Sequence, residues 1–248
     1  MRLSAAASPR RHKGFSLVEI ALGLAILGIL MAMTFKGQEV IEQYHQGQFI
    51  NMVRSLEANL KAYQKTYGRW PGDCNRDGLL DHEFVNPAVL NTVSLDYAIP
   101  TTFTAAVNSS STYSLGIVCP ASTLTPFGNA NVAYNELKLG GITPSGEPNR
   151  KSASHTLSGF AYLGQFVLVT GVDKIESQFN AIVLTNVSIS TARRLAIAID
   201  GGNGSAANTH RVRRSDDLVT FAPTWTATGE TEDKRITVVV FFDRIPPV

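Results

Sequence analysis

The residues best suited to bind a ligand lie in one polar segment, which reads Asp73-Cys74-Asn75-Arg76-Asp77-Gly78-Leu79-Leu80-Asp81-His82-Glu83-Phe84. Calcium loops of twelve residues place oxygen ligands at positions 1, 3, 5, 7 and 9 and turn sharply at a glycine in position 6. Those ligand positions hold Asp73, Asn75, Asp77, the Leu79 carbonyl and Asp81. Position 12, usually a bidentate acid, is Phe84. The pattern predicts weak calcium binding, and the alternative is a polar turn whose Asn and Asp side chains bond their own backbone.

Sequence patterns of known catalytic sites are incomplete in this chain. His82-Glu83 lacks the second histidine of a zinc-protease helix, because Asn86 stands at that position. A loose dinucleotide-binding fingerprint occurs at Gly202, Gly204 and Ala207. That motif should open a helix, yet the residues after it show no apolar helical stripe. No GxSxG, P-loop or CxxC motif is present, so we expect a protein that is not an enzyme.

A single acid, Glu19, interrupts the apolar run at residues 15–35. About 21 helical residues cover roughly 30 Å, the thickness of a bilayer's hydrocarbon core. A signal peptide or a plain signal anchor would also give such a run, but Met31-Ala32-Met33 is a poor cleavage site for a signal peptidase. A carboxylate within a membrane span costs on the order of 2.5–3.5 kcal/mol on insertion scales, so its presence indicates a function.

The residues around this acid carry a resemblance to a known family. The stretch KGFSLVEIALGLAILGIL, with Gly14, Phe15 and Glu19 in their present spacing, resembles the class III leader of type IV pilins and type II secretion pseudopilins. The resemblance implies that a prepilin peptidase cuts after Gly14 and that the new amino terminus, Phe15, is methylated. It also implies that Glu19 pairs with the amine of a neighbouring subunit during assembly. A buried amine needs such a partner, since an unpaired charge is costly in lipid.

The charge distribution fits an exported domain on a membrane anchor. Residues 1–14 hold four basic residues and no acid, whereas the remaining residues hold 18 basic and 20 acidic ones. Basic residues before the span keep the leader in the cytoplasm and send the C-terminus outward. The net charge of the exported part gives no general nucleic-acid footprint. A local basic patch at Arg211, Arg213 and Arg214 is the one place where the sequence is compatible with DNA binding.

The helix is predicted to continue beyond the membrane. Phe49, Val53, Leu56, Leu60, Tyr63 and Tyr67 form an amphipathic stripe, and Glu57 with Lys61 forms an i,i+4 pair on the polar side. Gly68 and Pro71 then end the helix. We therefore divide the chain into a leader (1–14), a transmembrane and polymerisation helix (15–36), an amphipathic continuation (37–68) and a globular domain outside the cytoplasm (69–248).

The globular domain is predicted to be α+β. Residues 100–158 are rich in Thr, Ser, Asn, Gly and Pro, so we expect exposed loops around a few short strands. Strands follow at 160–171, 181–189 and 236–242, and Ser190 or Thr191 caps a short helix that Gly201 ends. The run at 236–242 is almost continuously apolar, so we expect this last strand to be central in a sheet and covered by the long helix. Pro71-Gly72-Asp73 and the segment LAIAIDGGNG resemble parts of a group of larger pilin-like proteins. In that group the acidic-glycine turn is structural, which implies turn roles for Asp200 and Asn203.

Cys74 and Cys119 are the two cysteines of the sequence, enough for one disulfide and too few for a cysteine-only zinc site. Export past the membrane places them in an oxidising compartment, which favours a bridge between them over two buried free thiols.

These inferences together identify a structural subunit. The expected fold is a pilin-like long N-terminal helix packed on an antiparallel sheet with loop-rich insertions. The expected function is that of a minor pilin of a type IV pilus, and the alternatives are a type II secretion pseudopilin and a filament-tip adhesin or DNA-uptake subunit. The resemblance implies as partners the prepilin peptidase, other pilin subunits through the N-terminal helix, the assembly platform and the inner membrane. The chain would wait in a bacterial inner membrane before joining a pilus or a periplasmic pseudopilus.

Overall fold

The computed structural model describes residues 16–84, 119, 130–170, 175–202 and 206–247. Its helices are α1 (Leu17–Tyr67), α2 (Asn131–Leu139), α3 (Asn149–Ala153) and α4 (Ile189–Asp200). Its strands are β1 (Glu83–Phe84), β2 (Ala161–Thr170), β3 (Ile175–Ser188), β4 (Val212–Arg214) and β5 (Arg235–Phe241). The chain divides into two compact units between Tyr44 and His45. This boundary lies within α1, later in the chain than the predicted end of the anchor at residue 36.

The first unit contains the apolar start of α1. Leu17–Thr34 has a mean hydropathy of 2.3 and none of it is buried. It is the one helix among the described residues that is long and apolar enough to cross a membrane. Exposed apolar side chains such as Leu24 and Leu30 therefore present a surface that water solvates poorly and that lipid or another helix would cover.

The second unit begins with the amphipathic part of α1. Phe49, Val53 and Leu60 are fully buried and, with Leu56 and Tyr63, join one hydrophobic core with residues of β2, β3 and β5. Their spacing confirms the predicted stripe up to Tyr63. Tyr67, in contrast, is 49% exposed, because the last turn of α1 extends past the core. Gly68 ends the helix with a positive φ of 72°, as predicted.

The predicted Glu57–Lys61 pair exists, but its position differs from the prediction. Lys61 Nζ lies 2.6 Å from Glu57 Oε1. Glu57 is only 8% exposed, and Arg211 Nη2 also lies 2.6 Å from Oε1. The carboxylate therefore lies between two cations instead of on a solvent-facing side of the helix.

A five-stranded sheet in the order β1-β2-β3-β5-β4 forms the centre of the second unit. β1 pairs in parallel with β2, and the other neighbours are antiparallel, so the sheet is mixed at one edge instead of purely antiparallel. β5 lies between β3 and β4, which confirms that the strongly apolar last strand is an internal one. The arrangement of helices and sheet is α+β and consistent with a pilin-like fold.

Helix α4 follows β3 with no intervening loop. Ser188, not Ser190 or Thr191, is its N-cap, and the Ser188 side chain accepts a hydrogen bond from the Thr191 backbone N–H. The prediction was wrong because β3 extends to Ser188 and the chain turns directly into the helix. Gly201 ends α4 in the left-handed conformation, as predicted.

Two helices, α2 and α3, lie within residues 100–158, where we had predicted loops and short strands. Residues Asn131 to Lys138 of α2 are all buried, so this part of the segment is interior and not an exposed face. Polar side chains of α2 are bonded to Asn149 at the start of α3: Asn149 donates to Asn131 at 2.9 Å and to Asn135 at 2.8 Å, and Lys138 donates to Asn149 at 2.6 Å. A composition rich in polar residues is therefore compatible here with burial, because the network is internally bonded.

Candidate functional site

The predicted processing and assembly residues lie at the start of α1. Gly14 and Phe15 are outside the described residues. Glu19 lies in the first turn of α1, and its backbone N–H donates to the Ser16 carbonyl at 3.0 Å. Its sequence neighbours Val18 and Ile20 are 73% and 53% exposed. Glu19 is thus the one acid in the exposed apolar part of α1, Leu17–Thr34, where a cationic partner would relieve the cost of burying its carboxylate.

The polar segment after α1 forms a compact turn built by its own side chains. Gly78 N–H donates to Asp73 Oδ2 at 3.2 Å, Asp77 N–H to Asn75 Oδ1 at 3.1 Å, and Leu79 N–H to Asp77 Oδ1 at 2.8 Å. Gly78 has a φ of 89°, which glycine adopts without strain. Asp73 is 1% exposed, and burial, with a further contribution from Asp77, raises the pKa of its carboxyl group above the usual range.

Asp81 has a different hydrogen-bond partner from the other predicted ligands. It is buried, and its Oδ2 accepts a hydrogen bond from the Cys74 N–H at 3.2 Å. Within the described ranges, no group of three or more His, Cys, Asp or Glu side chains converges as a metal site. The side chains of the turn that could hold a cation are therefore the carboxylates of Asp73 and Asp77 and the amide of Asn75, together with nearby backbone carbonyls.

Asn180 of β3 anchors this turn to the sheet, a role that our sequence analysis missed. Its side chain is fully buried, accepts from the Leu80 N–H at 2.8 Å and donates to the Gly78 carbonyl at 2.8 Å. The predicted strand began at residue 181 and left Asn180 out, whereas the observed strand β3 begins at Ile175; a polar residue between the apolar Phe179 and Ala181 is the sequence signal that could have indicated this role.

The predicted disulfide is confirmed. Cys74 and Cys119 are bonded, with their Cα atoms 5.0 Å apart. Arg69 and Glu136 support the bridge from beside it, because the Cys119 N–H donates to Glu136 Oε1 at 3.2 Å while Arg69 forms an ion pair with the same carboxylate. The disulfide therefore joins the turn after α1 to Cys119, whose backbone N–H is bonded to Glu136 of α2.

The predicted basic patch does not form. Arg213 and Arg214 are 1% and 3% exposed, so neither presents its charge to a polyanion. Arg214 is paired with Glu230 at 2.6 Å and with Asp216 at 2.5 Å. Arg213 contacts the rings of Phe221 and Phe241, and burial lowers its pKa to about 10.

The acidic-glycine turn after α4 has a structural role at its described residues. Both carboxylate oxygens of Asp200 accept backbone hydrogen bonds at 3.2 Å, from the N–H groups of Arg211 and Val212. Asn203 and Gly204 lie outside the described residues. Ala207 is buried, and its N–H donates to the Pro223 carbonyl, so it does not open a helix as a dinucleotide fingerprint requires.

Comparison with known proteins identifies one part of the chain. Residues 9–35 match the family model described as the prokaryotic N-terminal methylation motif. No curated protein and no solved structure matched the chain. The matched residues include Gly14, Phe15, Glu19 and the whole apolar run at residues 15–35, which are features of a structural subunit of the pilin type. The chain carries the N-terminal signal of the type IV pilin and pseudopilin family of prepilins.

Proposed function

We propose that this protein is a minor pilin, a structural subunit of a type IV pilus that joins the filament after prepilin peptidase cuts between Gly14 and Phe15. The observation that carries the proposal is the methylation motif at residues 9–35, which includes the start of the 51-residue helix Leu17–Tyr67. The first part of this helix is exposed and apolar, and its later part belongs to the core of a compact unit. One helix thus supplies both an anchor and a scaffold.

The chemistry of assembly follows from the new amino terminus. Cleavage leaves a cationic amine on Phe15, at the apolar end of α1. Glu19 lies about one helical turn away, so the carboxylate of one subunit pairs with the amine of the next. Until assembly, the span Leu17–Thr34 holds the subunit in the inner membrane, and the assembly platform draws it into the filament.

The proposal of a minor subunit, as opposed to the main one, rests on the size of the globular part. Residues 45–248 form the second unit, and it contains internal polar networks and a disulfide beyond the sheet. A pseudopilin of type II secretion is the alternative, because that group shares the N-terminal signal. The DNA-uptake alternative loses its specific support, since Arg213 and Arg214 are buried.

Two measurements test the proposal. Intact-mass analysis of membrane-extracted protein should give a chain that begins with N-methylated Phe15. Retention of residues 1–14 would contradict it. Immunogold labelling of sheared filaments with antibody against the globular unit should mark sparse positions on surface pili. Unlabelled pili, together with periplasmic retention of secreted enzymes in a deletion strain, would favour the pseudopilin.

A further inference from the structure

The turn after α1 contains a buried carboxylate that its own surroundings satisfy only in part. Asp73 is 1% exposed, and its Oδ2 accepts from the Gly78 N–H across the turn. Its Oδ1 is buried and has no hydrogen-bond partner within the described part of the chain. A buried carboxylate oxygen without a donor is costly, so a ligand that bonds this atom would be favoured.

Two neighbouring side chains bring further oxygen atoms to the same turn. Asn75 and Asp77 each accept one backbone hydrogen bond within it, and Asn75 Nδ2 donates to Asp77 Oδ2 at 2.6 Å. Asp77 is exposed, so solvent and ions reach the turn from its side. The available groups are oxygen atoms of carboxylate, amide and carbonyl type, which hard cations prefer.

We propose that the Asp73–Leu79 turn binds a calcium ion through the Asp73 and Asp77 carboxylates, the Asn75 amide oxygen and the Leu79 carbonyl, with water completing the shell. Calcium accepts six to eight oxygen ligands in flexible geometry, so a mixed shell of this kind suits it better than magnesium. Binding exchanges the Asn75–Asp77 hydrogen bond for bonds to the metal. Asp81, which the sequence pattern also includes, instead holds the base of the turn through the Cys74 N–H.

The turn is anchored before any ion binds. Asn180 bonds the Gly78 carbonyl and the Leu80 N–H, and the disulfide fixes Cys74. Such anchoring lowers the entropy that binding must remove, so two carboxylates can suffice for an affinity near the extracellular range of roughly 10⁻⁴–10⁻³ M. Because the anchors lie on β3 and on the bridge, calcium should stabilise the whole second unit.

The test uses the mature full-length chain in detergent. Isothermal titration with calcium chloride should show one site per chain, and magnesium chloride should bind more weakly. At a calcium concentration tenfold above Kd, the ratio of folded to unfolded protein should rise about 11-fold relative to chelator, which raises the melting temperature. Identical melting in calcium and in chelator, with no heat of binding, would overturn the proposal.

Variants separate this site from general calcium effects. Asp77→Asn removes a charge at an exposed position, so it should fold normally and lose at least tenfold in calcium affinity. Asp217→Asn is the matched control, because Asp217 also accepts from two backbone N–H groups, Val219 and Thr220, and both of its oxygens are bonded. The control should keep the wild-type calcium response. Wild-type affinity in Asp77→Asn, or equal losses in both variants, would contradict the assignment.

Discussion

Arg69 and Glu136 lie 67 residues apart in the sequence and form a two-point ion pair, with both nitrogen–oxygen distances 2.7 Å. The Glu136 side chain is 3% exposed. Its carboxylate also accepts from the N–H groups of Gly72 at 2.7 Å and Cys119 at 3.2 Å. One side chain therefore joins the segment after α1, the disulfide and α2.

Replacing this carboxylate should destabilise the second unit strongly. Glu136→Gln keeps the size of the side chain but leaves the half-buried Arg69 without its counter-ion. Loss of one partner of a buried pair typically costs about 3–5 kcal/mol, because the remaining charge stays desolvated. We expect a fall of that order in the free energy of unfolding, measured by urea denaturation at pH 7 with the disulfide intact.

Glu232→Gln is the control for this experiment. Glu232 pairs with Arg193 at 3.0 Å, but both side chains are more than a third exposed. Surface pairs contribute about 0–1 kcal/mol, so this variant should unfold close to the wild-type midpoint. Similar losses in the two variants would show that burial of Glu136 has no special importance.

Removing the disulfide should also lower stability, through the unfolded chain. The bridge spans a sequence separation of 45 residues, for which the chain-entropy model gives roughly 4 kcal/mol. Exported wild-type protein should show no thiol that reacts with an alkylating reagent unless reductant is added. The Cys74→Ser, Cys119→Ser double variant should unfold at lower urea concentration, with a steeper loss on heating. Two reactive thiols in exported wild-type protein would refute the bridge.

The sequence predicted those parts of the fold in which local pattern and tertiary environment agree. The stripe from Phe49 to Tyr63 has helical spacing and is buried. The segment 236–242 is apolar except for Thr237, and β5 is internal in the sheet. Gly68 and Gly201 adopt positive φ at helix ends. In each case the residues of one short segment were enough to predict its conformation and its burial, without knowledge of the residues that it contacts.

Other features depended on contacts that no local pattern contains. Glu136 and Lys138 resemble surface residues of a short helix, yet both are buried. Glu136 pairs with Arg69, 67 residues away, and Lys138 donates to Asn149 of the next helix. Arg213 donates hydrogen bonds to the carbonyls of Pro246 and Pro247, more than 30 residues further along the chain. From charge and composition we therefore predicted an exposed loop region and a basic patch. In the structure these polar and charged side chains are buried, because each is bonded to a partner.

Under the proposed function, loss of the Glu19 carboxylate should block assembly without blocking processing. In Glu19→Ala, the amine of Phe15 on a neighbouring subunit would lack its counter-charge, while the apolar run and the cleavage site stay unchanged. Cleaved protein should therefore accumulate in the inner membrane and disappear from sheared filaments, as measured by immunoblotting of both fractions. Glu147→Gln, at an exposed pair with Lys151 in the second unit, should assemble normally. Normal filament incorporation of Glu19→Ala would refute the pairing.

His155 should make the second unit sensitive to acid. The ring is 8% exposed, packs edge-on against Phe49 at 4.9 Å, and lies with Nε2 3.0 Å from the Thr185 carbonyl. The Leu157 N–H donates to Nδ1 at 3.3 Å, so the neutral ring carries its proton on Nε2. A second proton would remove the acceptor on Nδ1. Burial, with a smaller contribution from the Arg235 charge, lowers the pKa of His155 to about 4.

The sign of the pH effect follows from that lowered pKa. Near pH 7 the imidazole is neutral in both states, and the full stability is present. Between the unfolded pKa of about 6.5 and the folded pKa of about 4, only the unfolded chain takes up the proton. The free energy of unfolding therefore decreases as the pH is lowered through this range. The loss should reach on the order of 3 kcal/mol by pH 4, because each unit of pKa difference is worth about 1.4 kcal/mol.

His155→Gln should start less stable at pH 7 but lose less stability between pH 6.5 and 4, whereas His45→Gln, at an exposed position, should keep the wild-type dependence of stability on pH. Urea midpoints measured across this range decide the matter, and an unchanged slope in His155→Gln would exclude His155 as the titrating group.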